Sequence, residues 1–340
     1  MLVRSAPPEI LETLFSRLSG TGKVYGPVRQ GKAVRFLPLS SISDAELSYQ
    51  RTVLPPKKFF LPPGETLLTF AGRGEWRVPD EEDERIVLFG LHPCDLHGIE
   101  ILTVFMSDAV PDSPFLRRRE KAFIVGLSCL PDDKCFCRSM GCQTSEKGFD
   151  IFITLLGDRV LLRAGSPEGY RLLRMLDGEA REPSREDRER LLNFHRLRNE
   201  SFTLSLDITD LPEVLDLEEE SQVWEELGNR CFTCGNCSIV CPTCSCFNVV
   251  DIPSFASGET KRVRTWDSCL FRSYALVAGG HNFREKRAQR VKNRYYHKQK
   301  GFVEGFGKPS CVGCGRCISS CPAGIDVVSV FKRLTEAYAK

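Results

Sequence analysis

A pattern of four cysteines and a proline occurs twice in this 340-residue chain, and nothing else in it constrains the fold as tightly. Cys231-x2-Cys234-x2-Cys237-x3-Cys241-Pro242 recurs as Cys311-x2-Cys314-x2-Cys317-x3-Cys321-Pro322. Each copy holds three thiols on one tight loop, a bite suited to three irons of a [4Fe-4S] cubane. The fourth thiol is carried off by the following helix to ligate the other cluster. Proline after that Cys disfavours helical backbone at the Cys itself and helps to set the exit direction. Gly235, Gly313 and Gly315 let the loops approach an inorganic core closely. The spacing therefore predicts one cubane on Cys231, Cys234, Cys237 and Cys321, and a second on Cys311, Cys314, Cys317 and Cys241. Zinc is the competing reading, because it also takes four-cysteine sites. Zinc ribbons present paired CxxC knuckles, however, whereas here three Cys share each loop.

The chain carries sixteen cysteines, eleven of them between Cys231 and Cys321. A start with no secretory apolar stretch or small-residue cleavage site predicts a cytoplasmic protein. In a reducing cytosol thiols bind metal or do chemistry more often than they pair. The 47 basic and 45 acidic side chains nearly cancel, which argues against bulk nucleic-acid affinity. A mean hydropathy of −0.21 and the lack of a long apolar run predict no membrane span. The length suggests about two domains. Asp207 to Glu226 holds nine acids and no base and reads as a solvated linker or helix face. The join is placed near residue 220, giving domains 1–220 and 221–340.

Upstream, strand-like and helix-like segments alternate. Pro8 to Leu18 has a helical apolar stripe. Lys23 to Val28 and Ala33 to Leu37 read as strands about a Gln30-Gly31 turn. Ile86 to Gly90 is a short buried strand followed by HPCD and a helix from Leu96 to Phe105, and Ala122 to Leu127 is a strand running into Ser128-Cys129. Ile151 to Leu156 and Val160 to Arg163 form a hairpin about Gly157-Asp158, and Ser184 with Asp187 caps a charged helix through Arg198. The run Gly26 to Lys32 imitates a phosphate-binding loop, but Ala33 stands where a magnesium-binding hydroxyl belongs, and two strands flank it. No complete GxGxxG occurs. The fold class predicted is α+β: an N-terminal α/β domain, then a helical two-cluster domain with a long insertion, about 245–305, between the cluster motifs. After Cys321, Ile325, Val328, Phe331, Leu334 and Tyr338 repeat at helical spacing, as core packing over the clusters.

The repeat resembles bacterial two-cluster ferredoxins, with one large departure: 69 residues separate Cys241 from Cys311. That insert contains CPTCSCFNVVD, TWDSC, GGHNFRE and YYHK. With HPCD at 92–95 and CFCRSMG at 135–141, these stretches resemble the iron–sulfur β subunit of cytoplasmic hydrogenase/sulfur reductase (sulfhydrogenase) complexes. That family is close to the A subunit of anaerobic sulfite reductase. The resemblance runs from roughly residue 55 onward. It implies an electron conduit, part of a hetero-oligomer, between a flavin subunit that binds NAD(P) and a terminal module. That module would be a nickel–iron hydrogenase, or in the runner-up reading a sulfite or heterodisulfide reductase.

Cys94, Cys129, Cys135 and Cys137 also fall within the resembling stretches, and the first two each follow a predicted strand. If those strands are neighbours, the four thiols suffice for a third [4Fe-4S]. Zinc with His92 or His97, or a Cys/His nucleophile on Cys94, are the rivals; for the nucleophile no oxyanion donor is identifiable. Cys142 reads as a plain thiol. Cys244, Cys246 and Cys269 are one short of a cubane, which a non-Cys ligand or Cys142 could complete; the preferred reading is small buried residues packing beside a cluster. The insert from Lys261 to Lys300 is strongly basic and reads as a solvated face or subunit-docking surface rather than a nucleic-acid site. No catalytic residue is predicted. A stand-alone iron–sulfur reductase of a sulfur substrate is the alternative class of function.

Overall fold

The computed structural model describes residues 2–72, 74–79 and 84–338. Strand β1 (Val3–Ala6) leads into α1 (Ile10–Ser19), whose Ile10, Leu11, Leu14, Phe15 and Leu18 recur at helical spacing and are all buried. The hairpin of β2 (Lys23–Gln30) and β3 (Ala33–Pro38) turns at Gly31, where φ is 59°, so the run that imitates a phosphate loop is a β-hairpin. β4 (Gly64–Gly72) pairs with β5 (Glu75–Arg77). β6 (Ile86–Leu91) feeds α2 (Pro93–Ser107), and α3 (Ser113–Lys121) feeds β7 (Phe123–Leu127). β8 (Ile151–Leu155) and β9 (Val160–Ala164) form the expected hairpin, followed by α4 (Pro167–Arg174) and α5 (Arg185–Glu200). Ser184 and Asp187 close a capping box at the start of α5.

Short helices α6 (Leu211–Leu217), α7 (Gln222–Arg230) and α8 (Asn236–Ile239) come next. The acidic stretch is thus built into α6 and α7. Leu211, Val214, Leu215, Val223 and Trp224 are buried there, while Glu213, Asp216, Glu219 and Glu225 face solvent. Strands β10 (Phe247–Pro253) and β11 (Thr260–Trp266) precede α9 (Arg287–Tyr296), α10 (Phe302–Phe306), α11 (Arg316–Ser319) and α12 (Val327–Tyr338).

The chain forms two units, and each is assembled from separate stretches of sequence. The first comprises Met1–Pro56, Glu84–Ile208 and Cys311–Arg316; the second comprises Lys57–Asp83, Thr209–Ser310 and Cys317–Lys340. Where the sequence reading places a single join near residue 220, the units exchange segments. In the first unit a seven-stranded mixed sheet runs β1-β9-β8-β7-β6-β2-β3. Its central strands β2, β6, β7 and β8 are parallel, so β6 and β7 are neighbours whose C-terminal ends lie at the same edge. The core includes the α1 stripe with Val87, Phe89, Val125, Leu127, Ile151 and Ile153, all under 10% exposed. Each such side chain contributes about 1.5–3 kcal/mol by leaving water.

The second unit carries a four-stranded antiparallel sheet, β10-β11-β4-β5, that the sequence reading does not anticipate. Beside it are helices packed through aromatic side chains. Trp224 meets Tyr295 at 5.7 Å between ring centroids, and Tyr295 meets Phe331 edge-on at 5.3 Å. Val328, Phe331 and Leu334 of α12 are buried, as the apolar stripe predicts; the side chain of Tyr338 lies outside the described residues.

Candidate iron–sulfur sites

In the second unit the first motif begins at the end of α7, where the Cys231 N–H still donates to the Leu227 carbonyl at 2.8 Å. The loop then turns through two left-handed residues, Thr233 (φ 52°) and Gly235 (φ 76°), before α8 carries Cys237. A Cβ on Gly235 would sit 2.6 Å from the Phe271 ring, so this position tolerates only glycine without rearrangement. Cys231, Cys234 and Cys237 line a cavity of about 50 Å³ together with Cys321 of the second motif. The four thiols assigned from spacing to one cubane therefore share one cavity, and Cys317 also reaches its wall.

Leu270, Val291, Tyr295, Ile325 and Val327 make the rest of that wall largely apolar. Two backbone amides donate to the sulfurs: Thr233 to Cys231 Sγ and Ile325 to Cys321 Sγ, each at 3.3 Å. Such donors are one of the levers a protein has on cluster potential. Arg294 lines the cavity, is 7% exposed, and has a buried Nε without a hydrogen-bond partner among the described residues. Four thiols, amide donors and an unpartnered guanidinium N–H fit an anionic iron–sulfur core.

Arg294 corrects one expectation. Arg290, Arg294 and Lys298 of the basic insert are 4%, 7% and 5% exposed, so this part of the run is not a solvated face. Their spacing of four residues puts all three on one side of a helix with Val291 and Tyr295, a signal already present in the sequence. Arg290 is tied to the carbonyls of Leu270 and Arg284 at 2.9 Å each.

In the first unit the expected convergence of strand ends occurs. Cys94 opens α2 just beyond β6, and Cys129 follows β7. Cys135 and Cys137 lie on the loop after it, where the Phe136 N–H donates to the Gly313 carbonyl at 2.9 Å. Gly313 (φ 66°) approaches so closely that a Cβ on it would stand 2.6 Å from the Cys137 backbone nitrogen. Cys94, Cys129, Cys135 and Cys137 line one cavity of about 20 Å³, joined by Cys142 and by Cys314 of the second motif.

Three cationic side chains surround these thiols. Arg51 donates to Cys135 Sγ at 3.6 Å, Arg198 is 5% exposed, and Arg316 forms a bidentate pair with fully buried Asp95 at 2.7 and 2.8 Å. His92 Nε2, Gln143 Oε1 and Arg198 Nε are buried without partners among the described residues, and all three residues line the cavity. His92 stacks on Tyr49 at 3.9 Å, and burial lowers its pKa to about 3, so the imidazole is neutral. His97 is engaged elsewhere, with its Nε2 2.7 Å from the Thr144 carbonyl. Thiols, orphaned polar atoms and cations together again fit an anionic cluster.

The second motif is divided: Cys311 and Cys314 belong to the first unit, Cys317 and Cys321 to the second. Among the described residues no three Cys, His, Asp or Glu side chains converge at a spacing that would hold a single metal ion. A lone zinc draws every sulfur to within about 2.3 Å of one point, whereas a cubane gives each thiolate its own iron and a wider ring.

Burial pushes the Cys129 thiol up to about 12 and Cys135 up to about 11. Without a cluster the folded chain thus holds these protons more tightly than the unfolded chain, whose thiols titrate near about 8.5. The folded state then binds more protons above that pH, so its stability falls as pH rises. The cluster-free chain is expected to lose stability progressively from about pH 8.5 to beyond pH 11. Urea midpoints of the apo-protein across that range test this, and a flat profile contradicts it.

Two matched Cys motifs and a cavity lined by their thiols mark an iron–sulfur protein. A family model described as a 4Fe-4S dicluster domain matches residues 230–325. The chain is 42% identical over 329 residues to sulfhydrogenase 2 subunit beta of Pyrococcus furiosus, covering 96% of this chain and 97% of that protein. The chain belongs to the family of sulfhydrogenase β subunits. No solved structure matches it. Among the described residues no helix is long and apolar enough to cross a membrane.

Proposed function

We propose that this chain is an electron-transfer subunit of a hetero-oligomeric, cytoplasmic redox complex. It relays electrons between a flavin subunit that binds NAD(P) and a terminal module of the nickel–iron hydrogenase type. The similarity over 96% of the chain to a sulfhydrogenase β subunit carries this reading. A [4Fe-4S] cluster, when bound, accepts and gives up single electrons. Cys231, Cys234, Cys237 and Cys321 hold one, and motif spacing assigns Cys311, Cys314, Cys317 and Cys241 to another. Cys94, Cys129, Cys135 and Cys137 hold a third, with Arg51, Arg198 and Arg316 as counter-charges. The chain's own part is to supply thiolates, screen them from water with apolar walls, and place cations that favour the reduced state.

The purified chain is expected to contain about twelve irons and as many labile sulfides, not counting the further site argued below. It should turn over no sulfur substrate with artificial dyes unless partner subunits are present. About eight irons removes the third cluster, stoichiometric zinc removes the iron–sulfur assignment at that site, and turnover by the isolated chain points to the stand-alone reductase. A terminal sulfite or heterodisulfide reductase remains the second reading, and the identity of co-purifying subunits decides between them.

A further inference from the structure

Three thiols are left over in the second unit, and the sheet there brings them together. The hairpin of β10 and β11 pairs Phe247 with Trp266, which sets Cys246 at its base beside Asp267. The Asp267 N–H donates to the Cys246 carbonyl at 3.0 Å. Cys269 lies two residues further on. Cys269 and the Tyr274 hydroxyl both lie near enough to act on the Cys246 sulfur. The N–H of Cys244, two residues before Cys246, reaches the Cys241 carbonyl at 3.5 Å. Cys269 is 7% exposed and meets Ser238 Oγ at 3.9 Å. A hairpin whose tip residue Phe255 is fully exposed thus has a base built of cysteines.

Buried positive charge stands beside these sulfurs. Lys57 is 3% exposed; its Nζ donates to the carbonyls of Cys244 at 2.8 Å and Ser238 at 3.4 Å, and lies 4.3 Å from the Trp266 ring. The sulfurs of Cys244, Cys241 and Cys246 face it, and so does the like charge of Lys298. Lys298 is 5% exposed, donates to Thr243 Oγ1 at 2.7 Å, and acts on the same three sulfurs. Burying two ammonium groups near one another is costly unless negative charge is buried with them. Thiolates bound to iron supply such charge.

We propose that Cys244, Cys246 and Cys269 are the thiolate ligands of a further iron–sulfur cluster, with Lys57 and Lys298 as its counter-charges. Three thiolates on a cubane core of two positive charges leave one net negative charge, and one-electron reduction adds a second. Two ammonium groups match the reduced state. Cys241 remains with the second ferredoxin-type cluster, next to this site, so the fourth corner of the further cluster has no cysteine. A core of three or four irons satisfies the three thiolates.

The site extends the electron-relay reading but is tested apart from it. The full-length chain, purified anaerobically, is compared with Cys246→Ser, Cys269→Ser and, as a separate control, Cys231→Ala. Cys246→Ser and Cys269→Ser should each lose about three to four irons per chain. Circular dichroism and the paramagnetic signals removed by Cys231→Ala should be unchanged in them. Iron content equal to the parent in both Ser variants overturns the inference while leaving the relay reading intact. No iron loss in Cys231→Ala overturns the relay reading instead. A loss well beyond about four irons marks collapse of the fold. The parent count then decides: more than about twelve irons supports the site, and twelve or fewer overturns it.

Discussion

Replacing Cys231 by alanine is expected to remove about four irons and four labile sulfides from each chain, and with them most electron throughput. Cys231 is 9% exposed, closes the end of α7, and accepts the Thr233 amide at 3.3 Å. It shares its cavity with Cys234, Cys237 and Cys321. A cubane missing one of four thiolates in a largely apolar cavity keeps neither its charge balance nor its screening. Dye-to-dye electron transfer through the reassembled complex should fall to background. Throughput retained with the iron gone would mean that electrons bypass this cluster. Cys321→Ala should reproduce the loss, because the proposed crossed wiring of the motifs assigns it to the same cluster; if it instead removes a different set of signals, the wiring is not crossed.

The second large effect is structural. Arg316 and Asp95 are 3% and 0% exposed, and the pair is bidentate, with Thr52 accepting from the same guanidinium at 3.1 Å through both its carbonyl and its hydroxyl. Removing one partner of such a pair leaves an uncompensated buried charge and costs about 3–5 kcal/mol. Arg316→Met should therefore destabilise the first unit by that amount, read as a lowered urea midpoint. Arg316→Met combined with Asp95→Leu should recover most of the loss, since replacing both ions by apolar groups is often neutral. A single variant as stable as the parent contradicts this account of the pair. Because Arg316 also lines the cavity with Cys94 and Cys314, iron content should be measured alongside.

The elements read correctly from sequence are those whose signal is local. The stripe of α1, the turn at Gly31, the capping box of Ser184 and Asp187, and the β8–β9 hairpin are each encoded within a few residues. So is the ferredoxin-type spacing, and four thiols assigned from it line one cavity. What escaped depends on distant partners. β11 pairs with β4 through Thr260 and Phe70, and no local pattern announces a partner so far away in sequence. The exposed β10, carrying Val249, Val250 and Ile252 at the edge of that sheet, has no polar alternation to mark it either. Part of the basic insert departs from the expected solvated face for a different reason. Charge run together along the sequence looks solvated, and only its four-residue spacing shows that Arg290, Arg294 and Lys298 share a buried side.

The interleaving of the two units has a consequence for how the protein is made. The first unit needs Cys311–Arg316, within thirty residues of the end of the 340-residue chain, and the second needs Lys57–Asp83 from its early part. Each unit therefore closes only after a stretch distant in sequence has joined it, and contacts of such long sequence separation form slowly. Cluster insertion has to wait for that closure or take part in it. Any half cut near residue 220 and produced alone lacks a piece of its own architecture.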